Sequence, residues 1–168
     1  MVGDSAPETR SRKSVDCTHD TVYGIAMTPV RIVVDSNVLV SALRSRRGAS
    51  FPLLNLVGTG KFTTVVSVPL VVEYEHALLD TTHELPYGPG EIRRFIDYFC
   101  SVSERRTVHF LWRPLLPDVN DDMVLEAAVA GRCRYIVTFN VRDFEGTERF
   151  GIHALPPAEF LQILGEKR

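Results

Sequence analysis

The sequence predicts an α/β domain built around a parallel sheet. From Val30 onward, short runs rich in β-branched residues alternate with longer segments of helical periodicity, which is typical of repeated βαβ units. Acidic residues follow the ends of apolar runs, the place where open α/β sheets carry their chemistry. With 168 residues, 45% of them hydrophobic, the chain has the size and composition of one domain.

The predicted elements alternate in chain order after a polar N-terminal region. Residues 1–28 show no sustained periodicity, so we expect them to form a disordered extension and residues 29–168 to form the domain. The strands are predicted at 31–35, 62–67, 135–139 and, from weaker patterns, at 108–111 and 152–154. The helices are predicted at 38–43, 51–58, 69–79, 90–102, 120–130 and 157–164. Because Met27 lies so close to the first strand, we also hypothesise that translation starts there, which mass spectrometry showing residue 1 retained in the natural protein would refute.

Composition and charge exclude several classes of protein. No run of roughly 18 apolar residues occurs that could cross a membrane, and residues 1–20 lack the apolar segment of a signal peptide. Cys17, Cys100 and Cys133 share no zinc-ligand spacing, so we expect neither a disulfide framework nor a zinc module, but a cytoplasmic protein. The formal net charge of −2 provides no global basic field, so a nucleic acid would have to contact a local basic patch.

Four acidic residues lie near the ends of predicted elements. They are Asp35 after the first strand, Glu73 in the 69–79 helix, Asp122 at the start of the 120–130 helix, and Asp143 after the 135–139 strand. Right-handed crossovers bring the carboxyl ends of parallel strands to one edge of the sheet. Asp35 and the loop 138–143 should therefore meet there, beside the start of the 69–79 helix. We expect Asp122 at the opposite edge unless the preceding chain crosses over the site.

Each of these residues also has a purely structural interpretation. Asp35 followed by Ser-Asn is typical of a turn, and Asp122 can complement a helix dipole. Glu73 and Glu75 border the same apolar helix face, and periodicity does not choose between them. Asp143 has the pattern of an ordinary acid in a surface loop.

Taken together, the four acids predict a site for a divalent metal ion. Two like charges about 4 Å apart repel by on the order of 4 kcal/mol at an effective dielectric near 20, and a bound cation removes that cost. Oxygen ligands without a suitably spaced histidine favour Mg²⁺ or Mn²⁺ over zinc.

Four segments of the chain resemble the motifs of PIN domains, most closely those of the VapC-like toxins. They are VVDSNVLVSA at 33–42, SVPLVVEY at 67–74, DDMVLEAA at 121–128, and YIVTFN at 135–140 with Asp143 and Phe144 after it. The likeness spans residues 31–164. It implies a three-layer α/β/α fold around a parallel sheet. It also implies metal-binding and catalytic roles for Asp35, Glu73 and Asp122, and a fold in which Asp122 does reach the carboxyl edge.

The resemblance further implies a Mg²⁺- or Mn²⁺-dependent endoribonuclease that serves as the toxin of a toxin–antitoxin pair. RNA substrate, antitoxin partner and homodimer formation are all expectations from this likeness. Many family members carry Asp where this chain has Asn140, which leaves Asp143 as the nearest fourth ligand, bound directly, through a water, or not at all. Supporting hydrogen bonds are expected from the neighbouring polar residues. These are Ser36, Asn37, Thr138 and Asn140.

Contacts to RNA phosphates are expected from a group of arginines near the active edge, although exposed arginines are usually solvated surface. The group comprises Arg44, Arg46, Arg47 and Arg142. The sequence does not show which of its aromatic residues stack on RNA bases and which pack in the core; those concerned are Trp112, Phe139 and Phe144. Two alternatives stay open: a PIN-like RNA- or protein-binding module with a metal site weakened by Asn140, and a nuclease that processes RNA or cuts DNA without any toxin role.

Overall fold

A single parallel sheet of five strands organises the protein. The computed structural model describes residues 29–109 and 115–165. The strands are β1 (Val30–Val34), β2 (Phe62–Val66), β3 (Glu104–Arg105), β4 (Tyr135–Val137) and β5 (His153–Leu155). Their order is β3-β2-β1-β4-β5, and every neighbouring pair is parallel. The predicted α/β class with a central parallel sheet is confirmed.

Within the described residues, six α-helices flank this sheet and complete a three-layer α/β/α architecture. The helices are α1 (Ser36–Arg44), α2 (Ser50–Asn55), α3 (Val68–Asp80), α4 (Pro89–Val102), α5 (Asp122–Ala130) and α6 (Pro157–Ile163). All six were predicted from periodicity, with ends that differ by at most three residues from those observed. None of the described helices has the length and hydropathy needed to cross a bilayer.

The prediction for the strand at 108–111 is wrong in its position. The edge strand β3 lies earlier, where Glu104 pairs with Val65 and Arg105 pairs with Val66 of β2, while residues 108 and 109 are not in a strand. The rest of the predicted segment, like the predicted extension at 1–28, lies outside the described residues. Because β3 consists of Glu and Arg, it carries none of the β-branched pattern by which strands are recognised.

The core lies on both faces of the central strands. Ile32, Val33 and Val34 of β1 are at most 2% exposed, since helices cover both sides of a parallel sheet. Aromatic side chains tie the helices to this core. Phe160 of α6 contacts Phe62 edge-on, with ring centroids 5.4 Å apart.

The position of β1 determines where a site can form. The chain leaves β1 towards β2 on one side and later returns to place β4 on the other side. Such a switch point opens a crevice at the carboxyl ends of the strands. Asp35 is the first residue beyond β1, and its backbone N–H donates to the carbonyl oxygen of Val137 at 2.9 Å.

Candidate active site

The Asp35 carboxylate is buried and held by three side chains. It is 4% exposed. Its Oδ2 accepts hydrogen bonds from Thr138 Oγ1 at 2.6 Å and from Asn37 Nδ2 at 2.8 Å, and Ser36 Oγ donates to Oδ1 at 3.3 Å. Burial raises the pKa of Asp35 and outweighs the hydrogen bonds, led by that from Thr138, which lower it. A positive charge beside this carboxylate would favour its ionised form.

Thr138 and Asn37 connect the loop after β1 to the loop after β4. Thr138 Oγ1 accepts from Asn37 Nδ2 at 3.2 Å and from the Asn140 backbone N–H at 3.0 Å. Asn37 Oδ1 accepts from the Phe139 backbone N–H at 3.3 Å. The two loops therefore meet at the carboxyl edge, where the sequence analysis expected them, and Thr138 is a fully buried hydrogen-bonding residue.

Glu73 borders this site from helix α3. Burial raises its pKa, and the charges of Asp35 and Asp80 raise it further while His76 opposes them. Glu75 instead pairs with Arg93 of α4, with Arg93 Nε 3.3 Å from its carboxylate. The helical wheel left these two glutamates equivalent, whereas in the structure Glu75 pairs with the neighbouring helix and the charge of Asp35 acts on Glu73.

Asp122 makes its side-chain hydrogen bonds to backbone amides of the segment that precedes α5. The side chain is 1% exposed, and its carboxylate accepts from the backbone N–H of Leu116 at 3.0 Å and from that of Leu115 at 3.3 and 3.4 Å. Asp122 thus holds the segment that leads into α5. This arrangement satisfies two backbone amides at the entry to a buried helix.

The charge of the preceding residue, Asp121, is also coupled to the acids of the site. Burial raises its pKa to about 7, and the nearby charges of Asp35, Asp118, Asp143 and Asp122 each add to the effect. Asp121 was not among the acids predicted as metal ligands. The signal available was its position beside Asp122 in a run of acids, which could not distinguish the two.

The start of α5 lies at the carboxyl edge, as the family resemblance implied, and not at the opposite edge that the local pattern favoured unless the preceding chain crossed over the site. A helix that connects parallel strands runs antiparallel to them, so α5 ends near the start of β4 and begins at the carboxyl edge. The coupling of Asp121 to both Asp35 and Asp143 reflects this direction.

Asp143 lies in the short 3₁₀ turn Val141–Phe144 that follows β4. Its backbone N–H donates to the carbonyl of Asn140 at 3.0 Å, and the side chain is half-buried. Its charge is among those that raise the pKa of Asp121. Asn140 itself is exposed, and its backbone rather than its side chain takes part in the hydrogen bonds at Thr138.

The arginines after α1 are partly occupied by contacts within the chain. Arg44 pairs with Glu84 at 2.5 Å, and the Arg46 guanidinium lies over the Phe51 ring, 5.7 Å from its centroid. Arg47 and Arg142 are exposed. The cluster is therefore less available to a ligand than its sequence pattern indicated.

The acids at this edge suit a hard divalent cation by their chemistry and by their mutual repulsion. Carboxylate oxygens are the ligands that Mg²⁺ and Mn²⁺ prefer, and Asp35 and Asp143 both disfavour the charged form of Asp121. Within residues 29–109 and 115–165, no three His, Cys, Asp or Glu side chains are gathered closely enough to form a complete ligand set. The carboxylates thus lie near enough at this edge for their charges to act on one another, but no three of those described are close enough together to bind one ion.

Comparisons with known proteins identify the family and support the fold. Residues 31–142 match the family model described as PIN domain, and no curated protein matches the chain. One chain of the crystal structure of VapBC2 from Rickettsia felis, bound to a DNA fragment from their promoter, is similar in fold with a TM-score of 0.53. The two are 15% identical, and the match covers 75% of this chain and 99% of that one. The family match extends over most of the described fold, from Arg31 to Arg142, so the chain belongs to the PIN domain family.

Proposed function

We propose that this protein is a divalent-metal-dependent endoribonuclease that acts as the toxin of a toxin–antitoxin pair. The proposal is supported by the PIN domain family match together with acids from separate segments whose charges act on one another near Asp35. Asp35, Glu73 and Asp121 are linked by charge, and Asp143 is linked to Asp121. Buried or half-buried carboxylates in mutual repulsion are the expected signature of a site built for a cation.

The residues that would hold Mg²⁺ or Mn²⁺ are Asp35, Glu73, Asp121 and Asp143. Such a cation supplies charge that acidifies an attacking water and stabilises the leaving oxygen of a phosphodiester. Asp122, predicted as a ligand from the sequence, is proposed instead to position α5, because its carboxylate is engaged by two backbone amides.

The surrounding polar residues have a positioning role in this proposal. Thr138 and Asn37 both donate to Asp35 Oδ2, which leaves Oδ1, contacted by Ser36 at 3.3 Å, as the less engaged oxygen. The carboxylate is therefore oriented before any ligand arrives. Orientation of a metal-binding group by such hydrogen bonds commonly matters for both affinity and activity.

Calorimetric titration with Mn²⁺ tests the metal site directly. The unmodified chain should bind the ion, Asp35→Asn and Asp121→Asn should lose binding, and Asp122→Asn should retain it. Glu73→Gln and Glu75→Gln form a matched pair on one helix, of which only the first should weaken binding. Mn²⁺ should also raise the melting temperature of the unmodified chain by mass action. Absence of both heat and stabilisation would contradict the proposed site.

Side-by-side digestion of single-stranded RNA and DNA in Mn²⁺ tests the reaction. Hydrolysis by an activated water should give RNA fragments with a 5′-phosphate and a 3′-hydroxyl, and Asp35→Asn should abolish cutting. Cutting of DNA alone would overturn the ribonuclease assignment. Loss of growth on expression, and its rescue by a short reading frame adjacent to the gene, would support the toxin role. Normal growth during expression of an active nuclease would instead support RNA processing.

A second candidate is a PIN-fold binding module without catalysis. Asn140 stands where many family members carry an acid, and the described carboxylates do not close into a three-ligand set. Binding of RNA or protein by a chain that takes up no Mn²⁺ would favour this function over the nuclease.

A further inference from the structure

An aromatic ring is exposed beside the buried centre of the candidate site. Phe139 is 49% exposed, although its neighbour Thr138 is fully buried and donates to Asp35. Phe144, five residues further on, is 1% exposed and belongs to the core. The structure therefore separates two aromatic residues that the sequence left unassigned, while Trp112 lies outside the described residues.

The backbone that carries Phe139 is tied down on both sides. Its own N–H donates to Asn37 Oδ1 at 3.3 Å, and the next N–H, that of Asn140, donates to Thr138 Oγ1 at 3.0 Å. The Asn140 carbonyl in turn accepts from the Asp143 N–H at 3.0 Å. The ring is consequently presented from a hydrogen-bonded loop anchored at Asp35, and little backbone ordering would be needed when a ligand binds it.

Other exposed apolar residues and a cation lie in the segments that carry Asp121 and Asp143. Val141 is 36% exposed, and Val119, between Asp118 and Asp121 in sequence, is 50% exposed. Arg142 is exposed, and its side chain forms no ion pair with any residue that the structure describes. A single exposed hydrophobic side chain is ordinary, but here apolar surface and positive charge both border the acids where a phosphodiester would lie.

We propose that Phe139 stacks against an unpaired base next to the phosphodiester that is cleaved, with Arg142 contacting a backbone phosphate. The proposal rests on the proposed nuclease function and adds a residue that selects the form of the substrate. An aromatic face can stack on any of the four bases, whereas the bases of a duplex are already stacked on their neighbours. Phe139 would thus favour single-stranded over paired substrate with little preference for sequence.

Binding of single-stranded RNA in EDTA, which prevents metal-dependent cutting, tests the stacking contact. Phe139→Ala should weaken binding roughly 5- to 100-fold, the range expected for loss of one stacked base. Phe139→Leu should weaken it similarly although the residue stays apolar, and Phe139→Trp should restore it. Tyr98→Ala is the matched control, because Tyr98 is an aromatic residue of α4 that is 55% exposed and should not affect binding. Melting temperatures of all variants should stay close to that of the unmodified chain.

An oligonucleotide with one abasic position, moved stepwise along the strand, provides the decisive comparison. At one position the abasic site should weaken binding to the unmodified chain but not to Phe139→Ala, because removal of the base and removal of the ring each abolish the same stacking contact. An abasic effect that persists in Phe139→Ala, with Mn²⁺-dependent cutting intact, would overturn the stacking proposal alone and leave the ring to a protein contact. Phe139-dependent binding without any cutting in Mn²⁺ would support stacking and overturn the nuclease.

Discussion

Replacement of Asp121 by Asn should stabilise the metal-free protein, and the gain should depend on pH. Burial and four neighbouring acids raise the pKa of Asp121 to about 7 from the usual 3.8. Between these two values the unfolded chain has released the proton while the folded chain retains it, so the unfolded state binds fewer protons and stability falls as pH rises. Below pH 3.8 the residue carries no penalty, and above pH 7 the penalty is complete. The neutral amide removes this pH-dependent cost.

The size of the effect follows from the pKa and from the exposure of the side chain. A pKa unit corresponds to about 1.4 kcal/mol, so the full difference would reach ~4 kcal/mol in a fully buried setting. Asp121 is only half-buried, and solvent screening reduces the expected gain to ~1–2 kcal/mol at pH 8. In a domain of this size that corresponds to a rise of ~2–8 °C in melting temperature.

Urea unfolding in EDTA at pH 4 and pH 8 checks this prediction. Asp121→Asn should gain stability at pH 8 and little at pH 4. The adjacent change Asp122→Asn is the matched comparison and should have the opposite sign. It weakens the hydrogen bonds to Leu115 and Leu116 and should cost ~1–3 kcal/mol. Equal effects of the two substitutions, or the same gain for Asp121→Asn at both pH values, would refute the assignment of Asp121 to the acid cluster.

Two further predictions concern the fold around the site. Gly131→Ala should destabilise the protein by ~1–3 kcal/mol, because the added Cβ would lie 2.6 Å from Val65 Cγ1. Gly90→Ala is the control and should leave the urea midpoint nearly unchanged, since its added Cβ would meet no neighbouring atom within 4 Å. Similar midpoints for the two variants would count against the packing described. Thr138→Val should cost ~1–3 kcal/mol because the buried Asp35 loses one of its three side-chain donors. Thr138→Ser should retain most of the stability, and a Thr138→Val variant as stable as the unmodified chain would show that this hydrogen bond contributes little.

Much of the site could be predicted from local sequence pattern. Asp35 follows an unbroken aliphatic run that forms a strand buried on both faces, and the β4 segment has the same character. Because the ends of parallel strands share one edge, the meeting of Asp35 with Thr138 followed from topology alone. Prediction succeeded here because the strands are short, apolar and flanked by clear helices.

The remaining features depend on contacts distant in sequence. β3 is recognisable only from its pairing with Val65 and Val66, since Glu104 and Arg105 have no strand pattern of their own. The helical wheel did not separate Glu73 from Glu75; the family resemblance selected Glu73, and the partner of Glu75, Arg93 of α4, is known only from the fold. The choice between Asp121 and Asp122 likewise depends on the backbone amides of 115 and 116, which no helical wheel represents.

The neighbouring acids at the start of α5 make the chemistry of the site depend on how that helix is seated. Successive residues of a helix are separated by a rotation of about 100°, and the buried side chains of Val124 and Leu125 select which rotation is adopted. One residue inserted between Asp122 and Val124 would swing both carboxylates around the axis while the apolar contacts re-formed. Packing of the hydrophobic core therefore fixes which carboxylate at the start of α5 is coupled to Asp35, and a variant could stay well folded yet place the wrong acid at the site.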